Sequence, residues 1–487
     1  MERRHLVYVL PGIGGSVLER PGSGDRTERT VWDAGYGDIA RLVAAPGRLA
    51  PDEELRAVGV IRSRSLLPGW TVVPGYERLI AALGALPGLR RIDHGHPDRR
   101  DLDADLVVFP YDFRLGVADA AARLAADVEE RLAHLGGRTE GRVIVVAHSM
   151  GGLVARYWLG PLAGWPSCRA LITAGTPHRG APKALQIMGN GVRVAGIRLG
   201  RLSRVLASWR SVAELLPQYP AVWDEDSGTA RRPHELPADW ARAASEAAAL
   251  HGDIEEAWAG IPRGGPQVVP RVGWSHRTPS SARWAGGRLA VGRDRPHWLK
   301  LPGWEHDDGD GTVPAISAVP KEMDGYDVSG WLERERHGFL ANGSWIPALV
   351  QSLLDRAPLT PVHGRERQWA LGLDLEELHV PAEPIPLRVR LREHPAVDAP
   401  LPGSSLPSPL PSPPDAAPPA LWATVRRADD SRVRLTDVRL EHDASSGVFT
   451  ADLPAMEPGL YDVLVRARAV PGAGDLAVTE TVAVVEP

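Results

Sequence analysis

The 487-residue sequence contains a single cysteine, Cys168, which excludes an intrachain disulfide and any metal site built from several thiolates. Lysine is nearly absent as well: only Lys183, Lys300 and Lys321 occur among 56 basic residues, so arginine carries the positive charge. No apolar run comes near the roughly 20 residues that a membrane-spanning helix needs. The first run, Leu6 to Leu10, is too short for a signal-peptide core and no small-residue cleavage site follows it, so a cytoplasmic protein is expected. Blocks of like charge are missing too. The 56 basic and 61 acidic residues are interspersed to a net charge of -5, which leaves no electrostatic footprint for nucleic acid. What the composition does supply is 43% hydrophobic and 24% charged residues, enough for folded cores, over a length that exceeds one compact core.

The runs HLVYVL, DLVVFP, RVIVVAH, RALITAG and QVVPRVGW are short, β-branched and uninterrupted, as strands covered on both faces of a parallel sheet must be. Helix-like stretches, YERLIAALGAL and VADAAARLAADVEERLAHL, lie between them. The alternation predicts an α/β domain over residues 1–358. Two segments interrupt it, 17–70 and 185–304, and are candidate caps; the second carries eight of the sixteen tryptophans, which serve equally as core or as lining for an acyl chain.

Beyond residue 366 the pattern changes. LWATVRR, SRVRLTDVRL, GVFTADL, GLYDVLVRARAV and LAVTETVAVV alternate apolar and polar residues between turn signals, and IPLRVRL joins them, which predicts a β-sandwich over 366–487. Within it, residues 395–419 hold ten prolines and form a loop or linker. Because these strands match no motif of the first domain, a chain ended near Arg365 is expected to keep its activity.

The most specific signal is RVIVVAHSMGGLVARYWLG, where an apolar strand ends at His148, Ser149 follows, and a helix begins at once. Such a turn forces its serine into strained backbone geometry that only small neighbours tolerate, here Ala147 before it and Gly151 after it. Near the N-terminus, LVYVLPGIGGSVLE is a strand followed by a glycine-rich turn that can aim backbone N–H groups at an oxyanion. Its spacing is not that of a dinucleotide-binding loop and it has no Gly-Lys-Ser/Thr ending. The N–H groups of Ile13 and Met150 are the expected oxyanion donors.

PGIGGS, VPGY, FPYDFR, AHSMGG, GTPHRGAPKAL and GDGTVP follow one another in an order that resembles the lecithin:cholesterol acyltransferase family, over residues 5 to about 355. The resemblance implies an α/β-hydrolase fold with cap insertions, an acyl-enzyme mechanism, a lipid or acyl-ester substrate and no cofactor. The arginine-rich composition points to a bacterial member. Two features depart from the family: the animal members carry disulfide-closed lids and secretion signals, and the C-terminal β-region lies outside the resemblance, so its partner and role stay open.

GDGTVP puts Asp310 downstream of a sheet strand, where this fold carries its acid, with Asp307 and Asp308 as competitors. HDDGDGT lacks the alternation and distal glutamate of a calcium loop. His337, in RERHGFLANGSWIPALVQSLL, completes the chain order Ser, Asp, His, and His148 is expected to be structural. Asp112, Arg114 and His178 are pocket candidates, with an Asp112–Arg114 ion pair as the simpler reading. His94 and His96 lack a third ligand, so no metal is expected. The implied function is a serine-dependent lipase or phospholipase, with O-acyltransfer to an alcohol and peripheral membrane contact as extensions. The alternatives are a soluble-ester esterase or thioesterase, and a catalytically vestigial lipid-binding scaffold whose β-domain recruits a protein.

Overall fold

Strands that are apolar at every position need cover on both sides, and the fold supplies it. A computed structural model describes residues 5–22, 29–33, 35–63, 65–73, 75–136, 141–194, 197–293, 298–299, 308–324, 331–356, 368–394, 418–428, 434–471 and 473–486. Seven strands form one parallel sheet: β1 (Leu6–Leu10), β2 (Ile92–Asp93), β3 (Leu106–Val108), β4 (Val143–His148), β5 (Cys168–Ala174), β6 (Gln267–Gly273) and β7 (Leu332–Glu333). Their order across the sheet is β7-β6-β5-β4-β1-β3-β2. Alternate residues serve opposite cores. Leu6, Tyr8, Leu10, Val143 and Val145 face one cluster with α2 (Val117–His134) and α3 (Met150–Leu159), whereas Val7, Val9, Ile144 and Val146 face another with α1 (Glu77–Gly84) and α6 (Trp345–Leu354). This is the α/β-hydrolase fold.

The interruption read at 185–304 is not one excursion. Helix α4 (Ala241–Ala259) packs on the α2/α3 side of the sheet, and β6 returns into the sheet inside the same segment. The reason is physical: QVVPRVG is apolar enough to be covered on both faces, so it joins the core rather than the cap. Trp209, Trp258, Trp274 and Trp284 are buried members of that core, and Trp209 donates its indole N–H to the Leu49 carbonyl at 2.8 Å.

The C-terminal strands form two sheets. One has the order β8-β10-β14-β13, built from β8 (Gln368–Asp374), β10 (Ile385–His394), β13 (Glu441–Asp443) and β14 (Val448–Leu453). The other has the order β9-β16-β15-β11-β12, with β9 (Leu378–His379), β11 (Leu421–Arg427), β12 (Arg434–Arg439), β15 (Gly459–Val470) and β16 (Gly474–Val484). Leu373, Val389, Val425, Phe449, Val463 and Val482 close a common core between them. The proline-rich residues 395–417 lie outside the described residues, as does the expected division between 358 and 366.

This β-region is not an appendage. Leu460, Ala483 and Val485 bury against Ile39, Leu66, Val72 and Val194 of the hydrolase. Around that apolar contact Arg277 pairs with Asp374 at 2.9 Å, Lys183 with Glu377 at 2.8 Å and Arg392 with Asp308 at 3.0 Å. A chain ended at Arg365 would uncover all of these groups, so the expectation that the region is dispensable is corrected. An apolar seam stripped of its cover aggregates, and a buried Lys183 stripped of its acid is unpaired.

Besides His337, the described histidines His148, His178, His251 and His276 are buried. Burial is the first cause that lowers each below the ordinary imidazole range, with His337 adding to it at His148 and Arg336 at His276; these two come down to about 3. A depressed folded-state value means that the unfolded chain binds the proton first. Stability is therefore full above about pH 6.5 and falls as pH drops below it, for His148 and His276 down toward pH 3 at about 1.4 kcal/mol per pH unit each. Thermal midpoints measured from pH 7 down to pH 4 should decline steeply; a flat profile would show that these imidazoles are not held neutral. Among the described residues no helix is long and apolar enough to cross a membrane.

Candidate active site

Strand β4 runs into Ser149, whose backbone sits at φ 51 and ψ −127, a left-handed conformation that costs a side-chain-bearing residue strain. The turn holds because its neighbours are small. A Cβ on Gly151 would fall 2.6 Å from the Pro11 carbonyl oxygen. Helix α3 starts at Met150, so its unpaired N-terminal N–H groups gather beside the serine.

Ser149 Oγ lies 2.9 Å from His337 Nε2, and His337 Nδ1 lies 2.7 Å from Asp310 Oδ2. The backbone N–H groups of Thr312 and Val313 donate to the other carboxylate oxygen at 2.9 and 2.7 Å. Burial alone would raise the Asp310 carboxyl, but the His337 ring and these N–H donors outweigh it and hold it below the usual carboxylate range. An ionised Asp310 fixes the proton on His337 Nδ1 and leaves Nε2 free to accept from Ser149. Gly175, at φ 61, is the floor of this pair: a Cβ there would stand 2.8 Å from Asp310 Oδ2 and 3.0 Å from His337 Nδ1.

Of the competing acids, Asp308 is engaged with Arg392 and Asp307 lies outside the described residues. The glycine-rich turn lies against the serine. A Cβ on Gly12 would be 2.8 Å from Ser149 Cβ, and the Ile13 and Met150 N–H groups take part in no hydrogen bond among the described residues.

The pocket candidates go elsewhere. Arg114 grips Asp112 through Nε at 2.9 Å and Nη2 at 2.7 Å, and its remaining N–H groups donate to the carbonyls of Ala50 and Glu53. Both side chains are buried and mutually satisfied, so they tie the first cap segment to the sheet rather than face a substrate. His178 is buried beside Thr173, 3.3 Å from its hydroxyl, and forms no hydrogen bond to Ser149, His337 or Asp310. The physical reason is the same in each case: a strand end offers several directions, and these side chains turn inward toward partners.

His148 is structural in a specific way. The Gly12 N–H donates to the Tyr76 hydroxyl at 2.9 Å, so that hydroxyl must donate in turn to His148 Nδ1, also at 2.9 Å. His148 then carries its proton on Nε2 and donates it to the His337 carbonyl at 3.1 Å. One neutral chain of bonds thus joins the glycine turn, the serine's neighbour and the His337 backbone. Tyr76, in the motif VPGY, had no role from sequence; only its place in that motif marked it.

The model of the lecithin:cholesterol acyltransferase family matches residues 101–237, a stretch that holds Ser149 and Met150 and ends before Asp310 and His337. No curated protein matches the chain in sequence. Among solved structures, the mature lipase BlEst2 of Bacillus licheniformis is similar at 13% identity over 72% of this chain and 93% of its own, with a TM-score of 0.33. A lin2722 gene product from Listeria innocua is similar at 12% identity over 73% and 96%, with a TM-score of 0.31. Phospholipase PlaB of Legionella pneumophila, in complex with thio-NAD, is similar at 11% identity over 99% and 90%, with a TM-score of 0.20. The chain has the α/β-hydrolase fold and resembles the lecithin:cholesterol acyltransferase family, whose model covers the turn at Ser149.

Proposed function

We propose that the chain is a serine-dependent lipid acyl hydrolase, a lipase or phospholipase able to pass the acyl group to an alcohol as well as to water. The observation that carries this reading is the unbroken line from Ser149 Oγ through His337 to Asp310. His337 takes the Ser149 proton as the oxygen attacks an ester carbonyl, and Asp310 steadies the imidazolium. The N–H groups of Ile13 and Met150 receive the oxyanion, and His337 returns the proton to the leaving alcohol. The acyl-Ser149 ester then yields to water or to a second alcohol by the same steps reversed. Family resemblance, rather than geometry, supports lipids over soluble esters.

The test is a panel of phospholipids, acylglycerols and soluble esters, each incubated with and without an acceptor alcohol. Free fatty acid from lipids, with acyl transfer when alcohol is added, supports the reading. Turnover confined to short soluble esters or thioesters would replace it with an esterase.

Tyr76 tests the oxyanion turn. Tyr76→Phe leaves the Gly12 N–H and His148 Nδ1 buried without partners, at a cost of about 1–3 kcal/mol. It also frees the turn that carries Ile13, and misplacement of such a group lowers kcat by about a hundredfold. Ester turnover by the folded variant checks this, and wild-type kcat would remove Tyr76 from the account.

A further inference from the structure

Arg336 immediately precedes His337 and is buried. Its guanidinium is ion-paired with Glu480 of β16, lies 3.7 Å from Glu377, and donates to the Leu373 carbonyl of β8 at 3.3 Å. It also rests on the acid loop, because a Cβ on Gly311, the residue after Asp310, would come within 2.8 Å of its central carbon. Lys183, at 2.8 Å from Glu377, completes a set of two cations and two anions in which only Glu377 is partly exposed.

The acid loop is held from the same side. His276 bridges by its backbone to Gly309 and Asp310, donates from Nε2 to the Arg334 carbonyl at 2.9 Å, and accepts at Nδ1 from the Leu373 N–H at 3.2 Å. One residue of the β-region therefore bonds to a neighbour of each half of the His–Asp pair. The Leu373 N–H holds His276 beside Asp310, and the Leu373 carbonyl holds Arg336 beside His337.

We propose that Glu480 and Glu377, from the C-terminal β-region, are positioning residues for the reaction: they fix Arg336, which sets the backbone of His337 against the loop of Asp310. This rests on the Ser149, His337, Asp310 reading. Cover alone does not account for the arrangement, since apolar side chains of the same volume would close the seam at least as well as buried charges. What charges add is direction, and a guanidinium fork fixed by two carboxylates and a carbonyl has one orientation. The titration directions of the two acids differ. At Glu377 burial would raise the carboxyl, yet Lys183 and Arg336 outweigh it and hold it below the usual range; at Glu480 burial wins against Arg336 and pushes the carboxyl up.

The test uses full-length protein, with kcat and KM on p-nitrophenyl butyrate, the rate of labelling by a fluorophosphonate, and the thermal midpoint. Glu480→Gln should lower kcat and the labelling rate by about a hundredfold while KM stays within about twofold. Arg336→Met combined with Glu480→Leu removes both charges and leaves the Lys183–Glu377 pair intact. It should recover the thermal midpoint but not kcat. A stable double variant with wild-type kcat would overturn the positioning role. Should Glu480→Gln fail to fold, Glu377→Gln combined with Lys183→Met, which removes the farther carboxylate together with its own cation, is measured in the same way, and an unchanged kcat there overturns the proposal. Leu421→Ala, in the core of the β-region and opposite Ala467 rather than the strand positions facing Glu480, loosens that region without touching the clamp and should keep its kcat; a loss equal to that of Glu480→Gln would show general loosening instead. Wild-type protein that resists the fluorophosphonate would mean that the triad reading itself has failed.

Discussion

Ser149→Ala is expected to abolish ester turnover, with a loss of about a millionfold in the chemical step, because every later step needs the acyl-serine. The fold should survive. Alanine removes only an oxygen whose partner is His337 Nε2, at 2.9 Å, and relieves nothing of the surrounding core. The backbone strain at φ 51 remains in alanine, so the thermal midpoint should move little. Turnover of wild-type and variant protein on one soluble ester, with a melt for each, is the check. Substantial cleavage by the folded variant would mean that another group attacks the substrate.

Asp310→Asn should cost about ten-thousandfold in kcat, the second largest effect. The amide keeps the shape but presents an N–H where Asp310 Oδ2 or Oδ1 accepted. If it faces His337, the ring must move its proton to Nε2 and can no longer accept from Ser149. If it faces the other way, it opposes the N–H groups of Thr312 and Val313, which lie 2.9 and 2.7 Å from Oδ1. Asp308→Asn is the internal comparison. It weakens the ion pair with Arg392, which is partly exposed, and an ion pair of that kind is worth about 1 kcal/mol or less. Near-equal losses at the two positions, measured as kcat on a soluble ester, would show that Asp310 is not the orienting acid.

What could be seen in the sequence was whatever depends on neighbours along the chain. The five uninterrupted apolar runs are all strands of the central sheet, because cover on both faces imposes a pattern that a short window reveals. The turn at Ser149 was legible for the same reason: a strand end, a small residue on either side and an immediate helix are local demands. Strands β2 and β7 were not, since Ile92–Asp93 and Leu332–Glu333 are too short to hold any period. The bounds 185–304 drawn for the second cap ran past QVVPRVG, which the sequence itself marks as a covered strand.

Residues whose roles depend on distant partners left little trace. Tyr76 meets Gly12 and His148, which are far from it in the chain, and no spacing rule links them. Arg336 looked like one arginine among many, and its acids, Glu377 and Glu480, lie on either side of the proline-rich stretch in a region that matched no motif. Asp112 and Arg114 show the converse. They stand at a strand end where substrate contacts are common, but two residues of opposite charge so close in sequence satisfied each other.

The central claim, that Ser149 is a nucleophile activated by His337, is tested most directly by intact-mass spectrometry after treatment with a fluorophosphonate. Folded wild-type protein should gain one phosphonyl group, mapped to Ser149 by peptide analysis, and His337→Ala should gain it far more slowly. No adduct on the folded protein, or an adduct on a different serine, would contradict the account.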